Sequence, residues 1–275
     1  MISLFPSTID RLRMSSGFDY SPAAEEKNGA RVAKVPRAHG DPRFPPIPTR
    51  DSTANFFLVQ GAGVVERAGG PRWDGLLGAF WFFNKSWTID YARGRLLYHD
   101  GDVPGDLPAD CWVPIRFQQD STGRKTNIFP RIAAEIDGET LQFLLDTGAR
   151  TELTDAAFEA IGDDWHRQRA TSFISQEVFE RWRRAHPDWK FIEGAEMGAD
   201  ASPMIEVPTV RIGNRRLGPV WFTHRPDSSF GQFMSGYTDL PVVGALGGTA
   251  WKYGVLVLDY PRSRAAFLPK GEPFR

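Results

Sequence analysis

The sequence predicts a mainly β chain of two related lobes with a few short helices. Three observations predict it. The apolar runs are short and bounded by Gly, Pro, Asn and Asp, the punctuation of strands and turns. Asp137-Gly138 joins two such runs, Arg131–Ile136 and Thr140–Leu145, as a hairpin turn would. The two halves also end alike. Asp90-Tyr91-Ala92-Arg93-Gly94-Arg95-Leu96-Leu97-Tyr98 lines up with Asp259-Tyr260-Pro261-Arg262-Ser263-Arg264-Ala265-Ala266-Phe267, with Asp, Tyr and both Arg identical.

Taken in order, Pro6 suits a first helical turn with Ile9 and Leu12 on one face. Residues 21–53 carry Pro, Gly and charge without periodicity and read as a long loop. Phe56–Val59 and Val64-Val65 read as strands, and Trp87–Tyr91 and Arg95–Tyr98 as a hairpin. Leu76-Leu77-Gly78-Ala79 lines up with Val242-Val243-Gly244-Ala245, a second match in the same order as the first. The Asp/Gly/Pro-rich stretch 101–112 reads as a linker between lobes 1–100 and 113–275. In the second half, Thr154 caps a helix carrying Phe158 and Ile161. Ser175 caps another through Val178, Phe179 and Trp182, stopped by Pro187. Val207–Ile212, Gly218–Thr223, Val255–Tyr260 and Ala265–Leu268 complete the strands.

Composition narrows the function. A formal net charge of −1 makes no electrostatic case for nucleic acid or an anionic membrane. No stretch has the length and apolarity of a membrane span, and residues 1–20 lack a secretion signal. Cys111 is the only cysteine, so no intrachain disulfide forms. The five histidines are scattered, no metal-ligand spacing occurs, and no cofactor is expected. The nine Trp and twenty Phe fall mostly in apolar strand runs such as Phe80–Phe83, which reads as core rather than as a carbohydrate platform.

The stretch that carries chemistry is Phe143-Leu144-Leu145-Asp146-Thr147-Gly148-Ala149. A buried strand ending in Asp delivers a carboxylate to a fixed place. Gly148 lets the chain turn and another segment approach, and the Thr147 hydroxyl can tie the turn down. Asp146 is therefore the candidate catalytic acid, with Thr147, Gly148 and Ala149 as its turn.

This motif, the hairpin before it, and the later Val242-Val243-Gly244 resemble the retropepsin-like aspartic peptidases. The doubled arrangement is similar to their two-lobed bacterial members. The resemblance implies acid-protease-like β-barrel lobes, hydrolysis of internal peptide bonds by an Asp-activated water, and a peptide or protein substrate. It also implies that Val243 and Gly244 brace the acid turn, with Leu77 and Gly78 the same brace in the first lobe. Gly194–Pro203 is the candidate for the mobile flap of such enzymes.

The chemistry needs two carboxylates sharing one proton, and the chain holds one Asp-Thr-Gly. Setting Met1-Ile2-Ser3 against Glu152-Leu153-Thr154 places the first lobe's acid a handful of residues before Met1. The expectation is a chain that lacks its first catalytic strand, with any export signal, periplasmic or secretory, lying upstream as well. Two other expectations stand beside it. A homodimer could complete the dyad with one Asp146 from each copy, or the protein could be a catalytically inactive peptide-binding or scaffold relative.

Overall fold

The computed structural model describes residues 2–4, 30–34, 56–60, 75–99, 103, 107–198, 200–252 and 254–269. The chain divides into two units, Met1–Asn84 and Lys85–Arg275. It is mainly β, with a few short helices and several sheets. The expected helix at Ile9/Leu12 and strand at Val64-Val65 lie outside the described residues.

The first unit contains β1 (Ile2–Leu4), β2 (Ala30–Lys34), β3 (Phe56–Gln60), β4 (Gly75–Leu77) and α1 (Ala79–Phe82). The strands form one sheet in the order β2-β3-β1-β4. β2 falls inside the stretch 21–53 expected to be loop. Its Val and two Ala find backbone partners on β3, a pairing that a local composition signal does not report.

The second unit begins with the hairpin β5 (Ser86–Asp90) and β6 (Arg95–His99), then β7 (Trp112–Pro114). Next come β8 (Arg131–Ile136), β9 (Glu139–Leu145), β10 (Arg150–Glu152), α2 (Asp155–Ile161) and β11 (Gln168–Ala170). β12 (Ser172–Ser175), α3 (Gln176–Ala185), β13 (Phe191–Ile192), β14 (Met204–Val207), β15 (Val210–Ile212), β16 (Arg215–Leu217) and β17 (Val220–Arg225) follow. β18 (Gly244–Leu246), α4 (Gly248–Trp251), β19 (Gly254–Asp259) and β20 (Arg264–Pro269) close the unit. A nine-stranded sheet runs β13-β14-β17-β12-β18-β9-β8-β15-β16, and a five-stranded sheet runs β6-β5-β19-β20-β7.

Local chemistry accounts for many of these elements. Asp137 and Gly138 both take positive φ, 52° and 78°, which turns β8 tightly into β9. Thr154 caps α2 by accepting from the Ala157 N–H, and Gly162 ends it in the left-handed conformation. Ser175 precedes α3 as expected, but its side chain makes no cap bond. The Asp227 carboxylate, distant in sequence, accepts the Glu177 N–H at 2.9 Å instead. Phe143, Phe179 and Phe222 are fully buried and, with Trp182, anchor the core between the large sheet and α3.

The chain does not divide at 101–112. β5 pairs with β19 along its whole length, from Ser86↔Asp259 to Asp90↔Val255, so the first repeat's closing hairpin is part of the second unit's sheet. Five ladder positions with buried Trp87 and Thr88 outweigh the Pro/Gly linker signal. Val103 and Leu107 from that stretch pack on the core under β19 and β20.

Strand order and direction repeat within the chain and set the register of the match. β2-β3-β1-β4 matches β14-β17-β12-β18 in order and in every strand direction: antiparallel, parallel, antiparallel. Ser3 pairs with Leu58 and Leu76, as Phe173 pairs with Thr223 and Ala245. Gly75 thus matches Gly244, and Leu76-Leu77-Gly78 matches Ala245-Leu246-Gly247. The same spacing of 169 positions carries on through Asp90 and Asp259 to Arg95 and Arg264. This corrects the expected pairing of Leu76–Ala79 with Val242–Ala245. It also corrects the expected match of Met1–Ser3 with Glu152–Thr154, since β1 is the counterpart of β12. Among the described residues of the first unit, no strand corresponds to β9, which carries the acid.

The two Asp-Tyr turns differ in the partners of the Asp, and that difference is measurable. Asp259 is fully buried. It accepts from Arg264 Nε at 2.9 Å, Ser86 Oγ at 3.3 Å and the Arg262 N–H at 3.3 Å. Asp90 is also buried, but among the described residues it accepts only from Arg93, whose side chain is 58% exposed. Asp259→Ala should destabilise the protein by about 2 kcal/mol, the scale of losing hydrogen bonds to a charged, buried acceptor. Asp90→Ala should cost about 1 kcal/mol, less than Asp259→Ala because its only partner is one largely exposed arginine. Urea unfolding midpoints of both variants check the order.

Candidate active site

β9 reaches Asp146 between two neighbours. β8 lies on one side and β18 on the other, in parallel register Gly244↔Phe143 to Leu246↔Leu145. The Leu145 N–H donates to Pro130 O at 2.8 Å and the Asp146 N–H to Leu246 O at 2.9 Å. The acid's backbone is therefore held from both flanks, as a buried apolar strand in mid-sheet requires.

The turn beyond it closes on the carboxylate itself. The Gly148 N–H donates to Asp146 Oδ1 at 2.9 Å, and the Ala149 N–H donates to Asp146 O at 3.3 Å. Thr147 was expected to tie this turn down. Its hydroxyl makes no hydrogen bond among the described residues, and the carboxylate does the tying. The Thr171 N–H then donates to Ala149 O at 3.0 Å, so β10, α2 and β11 form an excursion that leaves and returns at the acid turn.

Behind the turn lies the link from β18 to α4. An added Cβ on Gly247 would stand 1.8 Å from Thr171 O and 2.8 Å from Ala149 Cβ. Only hydrogen fits between the acid turn and this link. The Gly247 N–H donates to Ser172 Oγ at 3.0 Å, and Ser172 Oγ meets Thr249 Oγ1 at 3.0 Å. Thr249 Oγ1 in turn donates to Trp221 O at 3.0 Å. Thr171 and Thr223 pair their hydroxyls at 2.8 Å beside them. These hydroxyls are buried, and their mutual bonds satisfy them.

Val243 and Gly244, expected as the brace, run beside β9: the Val243 N–H donates to Gln142 O, and Gly244 packs on Phe143 and on Phe173 O. The residues against the acid turn itself are Leu246 and Gly247. Leu77 and Gly78, the matching positions of the first copy, end β4 and cap α1. Sequence matching missed Leu246-Gly247 because Val-Val-Gly looks more like Leu-Leu-Gly than Ala-Leu-Gly does. A gap-free alignment from the Asp-Tyr turns backwards would have found it.

Burial raises the Asp146 carboxyl above the usual range, and the N–H groups of Gly148 and Ala149 pull partly against it. Two tyrosines sense that carboxylate. Tyr91 and Tyr260, the paired tyrosines of the duplicated turns, are both pushed well above ordinary phenols, by burial first and by the Asp146 charge second. The Tyr91 ring sits 3.2 Å from an added Cβ on Gly248, next to the brace glycine. The repeated Asp-Tyr motif was legible only as evidence of repetition, although the phenol of each copy feels the Asp146 charge.

Gly194–Pro203, the expected flap, is tied down. The Ala195 and Glu196 N–H groups both donate to Ser202 O, and Met197 N–H donates to Glu152 O. Arg225 forks the Glu196 carboxylate at 2.6 and 2.8 Å, and Thr151 Oγ1 adds a bond at 2.9 Å. Ala195 is fully buried. Small residues allowed a mobile reading, but one charged side chain anchors the loop to β10 and β17. Among the described residues no cluster of three or more His, Cys, Asp and Glu could hold a metal ion, and no helix is long and apolar enough to cross a membrane.

The raised carboxyl has a sign that stability can read. Between the unfolded Asp value of about 3.9 and the raised folded value, the native state binds more protons than the unfolded state. Stability therefore falls as pH rises through that window. Asp146→Asn removes the titration and keeps an oxygen for the Gly148 N–H. The variant should match the wild type below the window and exceed it above. Melting temperatures of both proteins from pH 3 to 8 test this, and a variant less stable at neutral pH contradicts it.

No family model matches the chain, and no curated protein matches it. Among solved structures, the chain is similar to a retropepsin-like aspartic protease from Rickettsia conorii. The two are 15% identical with a TM-score of 0.28, over 57% of this chain and 93% of that one.

Proposed function

We propose that this chain is an aspartic-type peptidase that hydrolyses internal peptide bonds with a water activated by Asp146. The observation that carries the reading is the acid's setting: a raised carboxyl at the end of a mid-sheet strand, in a turn closed by its own oxygen and backed by a glycine with no room for a methyl group. Such a carboxyl is fixed in space, and because burial raises its proton affinity it is a stronger base toward water than an ordinary aspartate. In the proposed step, Asp146 takes a proton as the water oxygen bonds to the peptide carbonyl carbon. It returns a proton to the leaving amine as the C–N bond breaks.

The acid half of this chemistry calls for a second carboxylate, since a lone one ionises without a partner to share its proton. Two copies of the chain, each giving one Asp146, are one source of it. Sedimentation of the purified protein with and without a peptide substrate tests that assembly. Incubation with an unfolded protein from pH 3 to 7, with new N-termini read by mass spectrometry, tests the activity.

A second reading, an inactive relative that binds peptides, is favoured by one observation. The groups that set the protonation of Asp146 are burial and two N–H donors, and none is a carboxylate. Binding without cleavage in the same incubation supports it.

A further inference from the structure

The five-stranded sheet is built symmetrically up to its last strand. The ladder between β5 and β19 pairs Ser86 with Asp259 and Asp90 with Val255. Moving each residue by 169 positions, from one hairpin to the other, turns the first pair into the second. The hairpins β5-β6 and β19-β20 are thus related by a local two-fold axis at the pair Thr88↔Val257, and β6 and β20 hold equivalent places. At one end β7 pairs antiparallel with β20, from Arg264↔Pro114 to Ala266↔Trp112. At the other end, no strand among the described residues pairs with the outer edge of β6.

Exposure follows the pairing. Ala265, Ala266 and Phe267 of β20 are buried, whereas their matches Leu96, Leu97 and Tyr98 are 44%, 43% and 37% exposed. The other edge strands of this unit carry the features that keep an edge from recruiting another chain. β7 ends in Pro114, β16 holds Arg215 and Arg216, and β13 is two residues long. β6 has five residues and no proline, and Leu-Leu-Tyr at its centre. An apolar edge of this kind is a template for strand addition.

The seat of β7 shows what chemistry fits the matching edge. Trp112 lies opposite Ala266, and the Arg264 guanidinium covers its ring at 3.9 Å. Arg95 is the matching arginine on β6, and it is exposed.

We propose that the outer edge of β6 binds an extended apolar segment of a partner protein, added antiparallel as a further strand, with an aromatic residue opposite Leu97 and under Arg95. Main-chain hydrogen bonds along the edge hold the segment, and Leu96, Leu97 and Tyr98 supply the apolar contact. The surface is independent of Asp146 and of any activity assigned to it.

Fluorescence anisotropy with a labelled peptide of residues 110–117, carrying Cys111→Ser, tests the proposal, since this peptide contains the β7 sequence. Binding should saturate below about 1 mM peptide. Leu97→Lys should weaken it at least about ten-fold, the scale of one apolar side chain's burial. Arg95→Gln should weaken it about three-fold, the scale of one exposed cation–π contact. If Leu97→Lys does not fold, the same peptide with alternate backbone nitrogens methylated takes its place, and it should not bind. No saturation up to about 1 mM overturns the site. Equal binding by wild type and Leu97→Lys also overturns it, because the peptide has then displaced β7 from β20. Sedimentation of the protein alone completes the test: a dimer that Leu97→Lys abolishes makes a second copy the occupant and overturns the partner assignment.

Discussion

Asp146→Asn should remove peptide hydrolysis, lowering kcat/KM at least about a thousand-fold, within the range a positioned acid–base group contributes. The substitution is nearly isosteric. Its side-chain oxygen still accepts the Gly148 N–H, and Leu246 O still holds the residue's backbone. What it lacks is a group that takes a proton from water. Loss of activity with an unchanged fold, checked by circular dichroism and by the melting curve, therefore speaks for chemistry and not for collapse. Because burial raises the Asp146 carboxyl, the acid limb of the wild-type pH profile should lie above that of an ordinary aspartate. Equal cleavage by variant and wild type would falsify the peptidase reading. Binding by both with cleavage by neither selects the inactive relative.

Gly247→Ala should prevent folding or cost more than about 4 kcal/mol, the range reserved for severe overpacking against fixed atoms. The backbone at Gly247 is extended, φ −117°, so alanine suffers no conformational penalty there. The penalty is steric: the methyl group would fall 1.8 Å from Thr171 O and 2.8 Å from Ala149 Cβ. Neither can yield easily, because Thr171 is hydrogen-bonded to Ala149 and Ala149 belongs to the acid turn. Gly231→Ala is the control, since an added Cβ there meets nothing within 4 Å, and it should stay within about 0.5 kcal/mol of the wild type. Denaturant midpoints of the two variants compare them directly. A well-folded, fully stable Gly247→Ala protein would mean that the acid turn is not packed as described.

The parts of this architecture that were legible beforehand share a cause. The Asp137-Gly138 turn, the Thr154 cap and the apolar run into Asp146 are each decided by residues within a few positions of one another. Their signals survive without knowledge of the rest of the chain. The repeat was legible where side chains are under the same local demand, as in the Asp-Tyr turns. It was misaligned at the brace, where the demand comes from another strand. Gly247 is a glycine because Thr171 and Ala149 crowd it, and both lie far away in sequence.

The same distinction explains the flap and the boundary. Gly194–Pro203 has the composition of a mobile loop, and a salt bridge from Arg225 decides otherwise. Residues 101–112 have the composition of a linker, yet the ladder between β5 and β19 ties the hairpin before them to the last strands of the chain.

By itself, then, the sequence determined the β character, the hairpin that presents Asp146 and the likeness of the two Asp-Tyr turns. The tertiary structure alone decided which glycine backs the acid turn, which tyrosines feel its charge, where the repeats align and where the chain divides. Turns and caps are set by short-range sterics and hydrogen bonding, whereas close approach, burial and the field at a carboxylate depend on segments that only folding brings together.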